Sequence, residues 1–140
     1  MKHFTLATLL LFSMSVFAEA SSAKLQYVGS IAINPCQEAE VLAEWYERFG
    51  IETEKIHGGY YGQLDTAAGP FYFGIHPKKV DAPKICSGNI SVVYRVDNFE
   101  SSLQSLKDRK LVPDSTEKGQ FGQFAHFHDP DGNEVTIWGE

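Results

Sequence analysis

The sequence predicts an α+β fold: two βαβββ modules whose sheets form a curved, mixed-sheet trough. Three observations carry this expectation. Apolar residues recur at helical spacing twice, as Leu42, Trp45, Tyr46 and Phe49, and again as Phe99, Leu103 and Leu106. Each of these stretches follows a short strand-like run and precedes several more, so that strand, helix and three strands are stated twice with a repeat of roughly sixty residues. Finally, a βαβββ unit covers one sheet face with its helix and leaves the other bare, and two bare faces side by side make a pocket.

The chain has 140 residues, 43% hydrophobic and 21% charged, the range of an ordinary single domain. Its first part reads differently. Lys2 and His3 open it, an apolar run extends from Phe4 to Phe17, and Ala18-Glu19-Ala20 offers small residues at a cleavage position. Residues 1–20 therefore read as a secretory signal peptide, and the run is short for a membrane anchor. The expected mature protein is residues 21–140, periplasmic or secreted, with no membrane association after cleavage. The net charge is −6, and no basic stripe interrupts the acidic balance, which argues against nucleic acid and anionic membranes as partners. Lys107, Arg109 and Lys110 fall at the end of the second predicted helix, where cations complement the dipole.

Leu25 to Ile33 reads as the first strand, with Ile31 and Ile33 on one face and Ser30 and Ala32 on the other. Asn34-Pro35 ends it. A helix is expected from Glu38 to Phe49, stopped by Gly50. Strands follow at Ile51 to Ile56, Tyr60 to Leu64 and Phe71 to Ile75, divided by Gly58-Gly59 and by Ala67 to Pro70. A polar, proline-marked linker runs from His76 to Pro83. The second module begins with a strand at Asn89 to Val96. Asp97 with Glu100 reads as a capping box for the second helix. Leu111-Val112 reads as a short strand, and a hairpin from Gly119 to Trp138, with strands at Phe121 to Phe127 and Glu134 to Trp138, completes the set. Its turn, Asp129-Pro130-Asp131-Gly132, has a physical reason at each position: a side-chain acceptor, a preset φ, and a closing glycine. Ala125 and Phe127 then share the buried face, while Phe124, His126 and His128 share the other.

Cys36 and Cys86 are an even count in an oxidising compartment, which suggests a disulfide closing a loop of about fifty residues. Whether the two residues come near enough to bond is decided by the fold.

The chain resembles the vicinal oxygen chelate superfamily, the glyoxalase, bleomycin-resistance and dioxygenase group. The residues carrying the likeness are Trp45-Tyr46 to Phe49-Gly50, Val93 to Asn98, and above all FHDPDGNEVTIW at Phe127 to Trp138. The resemblance implies a glyoxalase-like fold over residues 21–140 and, by family habit, a homodimer. Metal-dependent members hold an ion on four trough-facing positions, usually two His and two Glu. Those positions fall here at or near Val28, at Tyr72 or Gly74, at Asn89 and at Thr136. None is a strong ligand for a transition ion, so the usual metal site reads as lost and no cofactor is expected. Glu134, two places before Thr136 on the same face, is the nearest acid.

Alternation leaves Ser30, Tyr72, Asn89, Ser91, His126, Thr136 and Trp138 as the expected ligand-binding set, a mixture of aromatic walls and neutral hydrogen-bonding groups. Trp138 reads equally as a packing residue. His126 is the candidate catalytic group, having the titration range for acid–base work, against the plainer role of bonding a neighbour. His76, His126 and His128 form an alternative, relocated metal set for a divalent ion. Two functions follow. The first is an exported, metal-free protein that binds a small molecule in the trough; the alternative is a metal-dependent lyase/isomerase or dioxygenase resembling lactoylglutathione lyase.

Overall fold

A computed structural model describes residues 28–140. The proposed signal peptide and the start of the first predicted strand lie outside the described residues. The elements are β1 (Ser30–Ile33), α1 (Ala39–Phe49), β2 (Glu54–Ile56), β3 (Gly59–Thr66), β4 (Gly69–Ile75), β5 (Ser91–Arg95), α2 (Phe99–Asp108), β6 (Ser115–Gly119), β7 (Gly122–His128) and β8 (Glu134–Gly139). They make two four-stranded sheets in the orders β1-β4-β3-β2 and β5-β8-β7-β6. In each, the strand before the helix pairs in parallel with the last strand of its module, and the other pairs are antiparallel. This is the α+β architecture of two βαβββ modules, without a closed barrel. Among the described residues, no helix is long and apolar enough to cross a membrane.

Each helix covers one sheet face. Leu42 and Tyr46 of α1 are buried against Phe73 and Ile75, and Phe99, Leu103 and Leu106 of α2 against Ala125, Phe127 and Ile137. The aromatics of α1 also join the modules. Tyr46 meets Phe73 of the first sheet at 4.6 Å between ring centroids, while Phe49 lies 5.7 Å from both Tyr94 and Phe127 of the second. One apolar core therefore serves both modules.

The β7–β8 turn holds that core's polar end. Asp129, Asp131 and Asn133 are all buried, and every one is satisfied. Asp129 accepts the backbone N–H groups of Asp131 and Asn133, and it also accepts the Asn133 amide and the Tyr46 hydroxyl, all at 2.9 Å. Asp131 accepts the N–H groups of Cys36 at 2.6 Å and Gln37 at 2.9 Å, just ahead of α1. Asn133 accepts those of Asn89 at 3.1 Å and Ile90 at 3.3 Å, just ahead of β5. Burial, with Asp129 beside it, pushes the Tyr46 phenol well above its usual range, so it remains a donor. Cys36 and Cys86 are bonded, at a Cα separation of 5.6 Å, on the same side of the molecule. Gly88 fits this junction because a Cβ there would lie 1.9 Å from the Gly132 carbonyl oxygen, and its φ of +61° suits glycine.

Several expected boundaries differ. The N-cap of α2 is Asn98, whose side chain accepts from the Ser101 N–H, rather than an Asp97–Glu100 box. Helix α1 starts at Ala39, because Asp131 holds Cys36 and Gln37 in the approach. Ile51 is core, bonded back to the Tyr46 carbonyl, so β2 begins only at Glu54. Leu111-Val112 is not a strand: Leu111 caps the core, and the strand is the wholly exposed STEKG of β6, which has no apolar alternation to betray it. Asn89 precedes β5, and Phe121 sits in the β6–β7 turn.

Replacing Asp131 with Ala leaves two N–H groups without a charged acceptor, and should lower unfolding free energy in urea by about 3 kcal/mol. A loss under about 0.5 kcal/mol would show that the turn does not clamp the helix approach. Replacing both cysteines with Ala should cost about 4 kcal/mol on chain-entropy grounds for a loop of this length, read in the same titration.

Candidate functional site

Strand alternation puts Ser91, Val93 and Arg95 of β5 on the bare face of the second sheet, beside Glu134, Thr136 and Trp138 of β8 and Phe124, His126 and His128 of β7. Register brings His126 directly across from Thr136, and Phe124 across from Trp138. Their side chains interlock. His126 Nδ1 lies 3.0 Å from Glu134 Oε1 and 3.0 Å from Thr136 Oγ1, and the Thr136 hydroxyl donates to Glu134 at 3.2 Å. An ionised carboxylate only accepts, so Nδ1 carries the proton. Nε2 points the other way, with Glu117 3.7 Å away on its far side. The His126 hydrogen bond holds the Glu134 carboxyl below its usual range against a lesser desolvation effect, and Thr136 adds to the lowering.

Beside this polar strip runs an aromatic one. Phe124 and Trp138 stack with 6.1 Å between centroids and 11° between planes, and the Arg95 guanidinium lies 4.9 Å from the Trp138 ring. The Trp138 indole N–H donates to the Phe121 carbonyl at 2.6 Å, which fixes the ring against the β6–β7 turn. The packing and wall roles of Trp138 are therefore both met. His128 is exposed and pairs with Asp114 at 2.8 Å.

Of the expected ligand-binding residues, the structure joins His126, Thr136 and Trp138 on one surface, with Ser91 across the ladder from Glu134. Asn89 lies off the strand, its backbone held by Asn133. Ser30 and Tyr72 pair in register on the bare face of the first sheet, where Tyr72 is 52% exposed. Ser30 and Ser91 do line a common cleft of about 1190 Å³ between β1 and β5. The relocated histidine set is not assembled. His76 sits at the end of β4, its ring 6.3 Å from Tyr61, and the one cluster of metal-type side chains within mutual reach among the described residues is Cys36, Cys86 and Asp131, whose cysteines are bonded to each other. Alternation could have found Arg95, which shares its face with Ser91. Glu117 could not have been found, because β6 carries no strand signature.

No family model matches the sequence, and no curated protein matches it. Solved structures do. A glyoxalase/bleomycin resistance protein from Catenulispora acidiphila is 17% identical over 84% of this chain and 99% of its own, with a TM-score of 0.59. TnmS3, an antibiotic-binding protein from Streptomyces sp. CB03234, is 19% identical over 84% of this chain and 98% of its own, with a TM-score of 0.61. UcmS2 is 21% identical with the same coverage and a TM-score of 0.55. At such identities the likeness shows the fold.

The depressed Glu134 carboxyl gives a pH test. A group whose folded value is lowered contributes stability above its ordinary range and loses it as pH falls through the lowered value. A carbon-13 titration should find Glu134 ionising below the usual Glu value of about 4.3. In His126→Ala it should move back towards that value. An unchanged titration would show that His126 does not hold it.

Proposed function

Taking the glyoxalase/bleomycin-resistance fold as premise, we propose that this is an exported protein that binds a small organic molecule on the bare face of its second sheet, without a metal ion. The observation that carries this reading is the state of Thr136. It stands where metal-dependent members of the resembling family carry a glutamate, and its hydroxyl is fully buried and engaged by His126 and Glu134. A hydroxyl so engaged is a poor ligand for a divalent ion, and the other matching positions offer Val28, Tyr72 or Gly74, and Asn89. What the face does offer suits an organic molecule: a fixed aromatic stack, an imidazole nitrogen able to hydrogen-bond, and a carboxylate that accepts. The fold likeness to TnmS3, an antibiotic-binding protein, supports the same class of ligand.

The Cys36–Cys86 bond supports an oxidising compartment, in keeping with the apolar leader at residues 1–20. Exposed side chains on both bare faces, Tyr72 and Val93 among them, support a homodimer in which a second copy covers them. In that state the ligand would sit between a sheet of each copy.

Elemental analysis of protein purified without an affinity tag should find less than one transition ion in ten chains. A thermal-shift screen of planar aromatic compounds should then find stabilisers without added metal, and Trp138→Ala should weaken the best of them about tenfold or more. Stoichiometric Zn, Ni, Fe or Mn would overturn the reading in favour of a metal-dependent lyase/isomerase or dioxygenase, with His126 and Glu134 as the first residues to test.

A further inference from the structure

Between the modules, bounded by the end of α1 and by α2, lies a second chamber of about 470 Å³, which adjoins the larger cleft and shares Leu64, Tyr94, Arg95, Val96, Ser101 and Ser102 with it. The C-terminal end of α1 and its following loop form one wall, and α2 with β5 forms the other. Its floor is apolar, built from Phe49, Leu64, Leu106 and Ile137, and its volume lies at the lower end of the range of small-molecule sites. The polar groups are unevenly distributed. Ser101, Ser102 and Ser105 face it from α2.

Among the described residues, those that line it with a charge are Arg95 and Arg109, in a chain whose net charge is −6. Arg95 is committed elsewhere, its guanidinium lying over Trp138 and 4.0 Å from Glu140. Arg109 makes no ion pair among the described residues, and its Nη1 reaches the space beside Gly50 at the end of α1. That position accounts for part of its role, since a cation complements the α1 carbonyl terminus. Arg109 is exposed at the rim of the chamber, so its remaining donors face solvent and are free to meet an anion.

Tyr94 adds an independent observation. Its ring lines this chamber as well as the larger cleft, and its hydroxyl is buried without a hydrogen-bond partner. Burial pushes the phenol above its ordinary range, so the group is a standing donor. A buried donor without an acceptor is a destabilising feature that a bound acceptor would relieve.

We propose that this inter-module chamber is a second binding site, selective for a small apolar monocarboxylic acid. The carboxylate pairs with Arg109 and the α2 serines, the hydrocarbon body lies on Phe49, Leu64 and Ile137, and an acceptor oxygen reaches Tyr94 as the wall adjusts. The site is separate from the His126 face and stands whether or not that face binds a ligand.

The test is an NMR and calorimetric titration of the whole folded protein with benzoate, 3-methylbutanoate and 3-phenylpropanoate, using 3-phenylpropanamide as the uncharged control. At least one acid should bind saturably, shifting the amides of Tyr94, Ser105 and Arg109, with the amide control at least tenfold weaker than its acid. Ser105→Trp should fill the chamber and abolish binding. Arg109→Gln should weaken binding about tenfold, and His126→Ala should change it less than twofold. Tyr94→Phe should weaken the acid while leaving Tm equal or higher, because an orphaned hydroxyl has been removed. Failure of all three acids to bind, equal affinity for the amide, or loss through His126→Ala with Ser105→Trp unaffected would overturn the proposal. Should Arg109→Gln fail to fold, the acid-to-amide comparison on the unaltered protein and the Ser105→Trp result still decide it.

Discussion

The molecule depends on a buried polar turn. Asp129, Asp131 and Asn133 lie within five residues of one another, and together they hold the backbone ahead of α1, the backbone ahead of β5, and the phenol of Tyr46. Two carboxylates and an amide buried without partners would be costly. Here each oxygen that is called on accepts a directed N–H or O–H, and so the cost becomes specificity. The approach to α1 fits only one position against the β7–β8 hairpin. The cystine, on the same side, shortens the unfolded chain's reach between the points the turn brings together. The apolar core supplies the bulk of the driving force, but Tyr46 and Phe49 can only bridge two sheets whose relative position the turn has already defined.

That division explains why the fold was legible in the sequence while parts of the site were not. Period-3.6 spacing in Leu42, Trp45, Tyr46 and Phe49 and period-2 spacing in β7 and β8 report burial, and burial is what decides those elements. The turn residues were equally readable, and Asp129 does accept from its own turn as local chemistry requires. Its burial was not readable, nor was that of Asp131, because Tyr46, the partner of the first, and Cys36 and Gln37, the partners of the second, are more than eighty residues away. Asn133 is similar: tolerance of turn geometry explains it locally, whereas its bonds to Asn89 and Ile90 are a long-range function. β6 was misplaced for the opposite reason. It is an edge strand exposed on every residue, held by backbone pairing to β7, and such pairing leaves no trace in side-chain hydrophobicity.

The candidate site shows the same split. Alternation places His126, Thr136 and Trp138 on one face, and the register then makes them direct or diagonal neighbours. What alternation cannot give is the direction of each side chain. Only the structure shows that Glu134 and Thr136 converge on the same imidazole nitrogen, leaving the other nitrogen outward. Ser30 and Tyr72 keep the face expected of them but belong to the other sheet, and two sheets that do not share a ladder need not bring their bare faces onto one ligand.

This separation of scaffold from chemistry follows from where the stabilising interactions lie. The clamping turn, the cystine and the aromatic bridge of α1 all act on the helix-covered side or at the hub end of the modules. The bare face contributes little to them, so residues there can be exchanged at small cost to the fold. An exchange at position 136 would alter what the face can hold and leave the hub untouched. Thr136 is buried and bonded to His126 and Glu134, so placing a carboxylate there would put three ionisable groups, two of them acidic, into one tight cluster. Like charges at that spacing raise the pKa of one partner and weaken its grip on a cation. A carboxylate at position 136 would therefore require Glu134 to change with it, and the present trio satisfies its own hydrogen bonds.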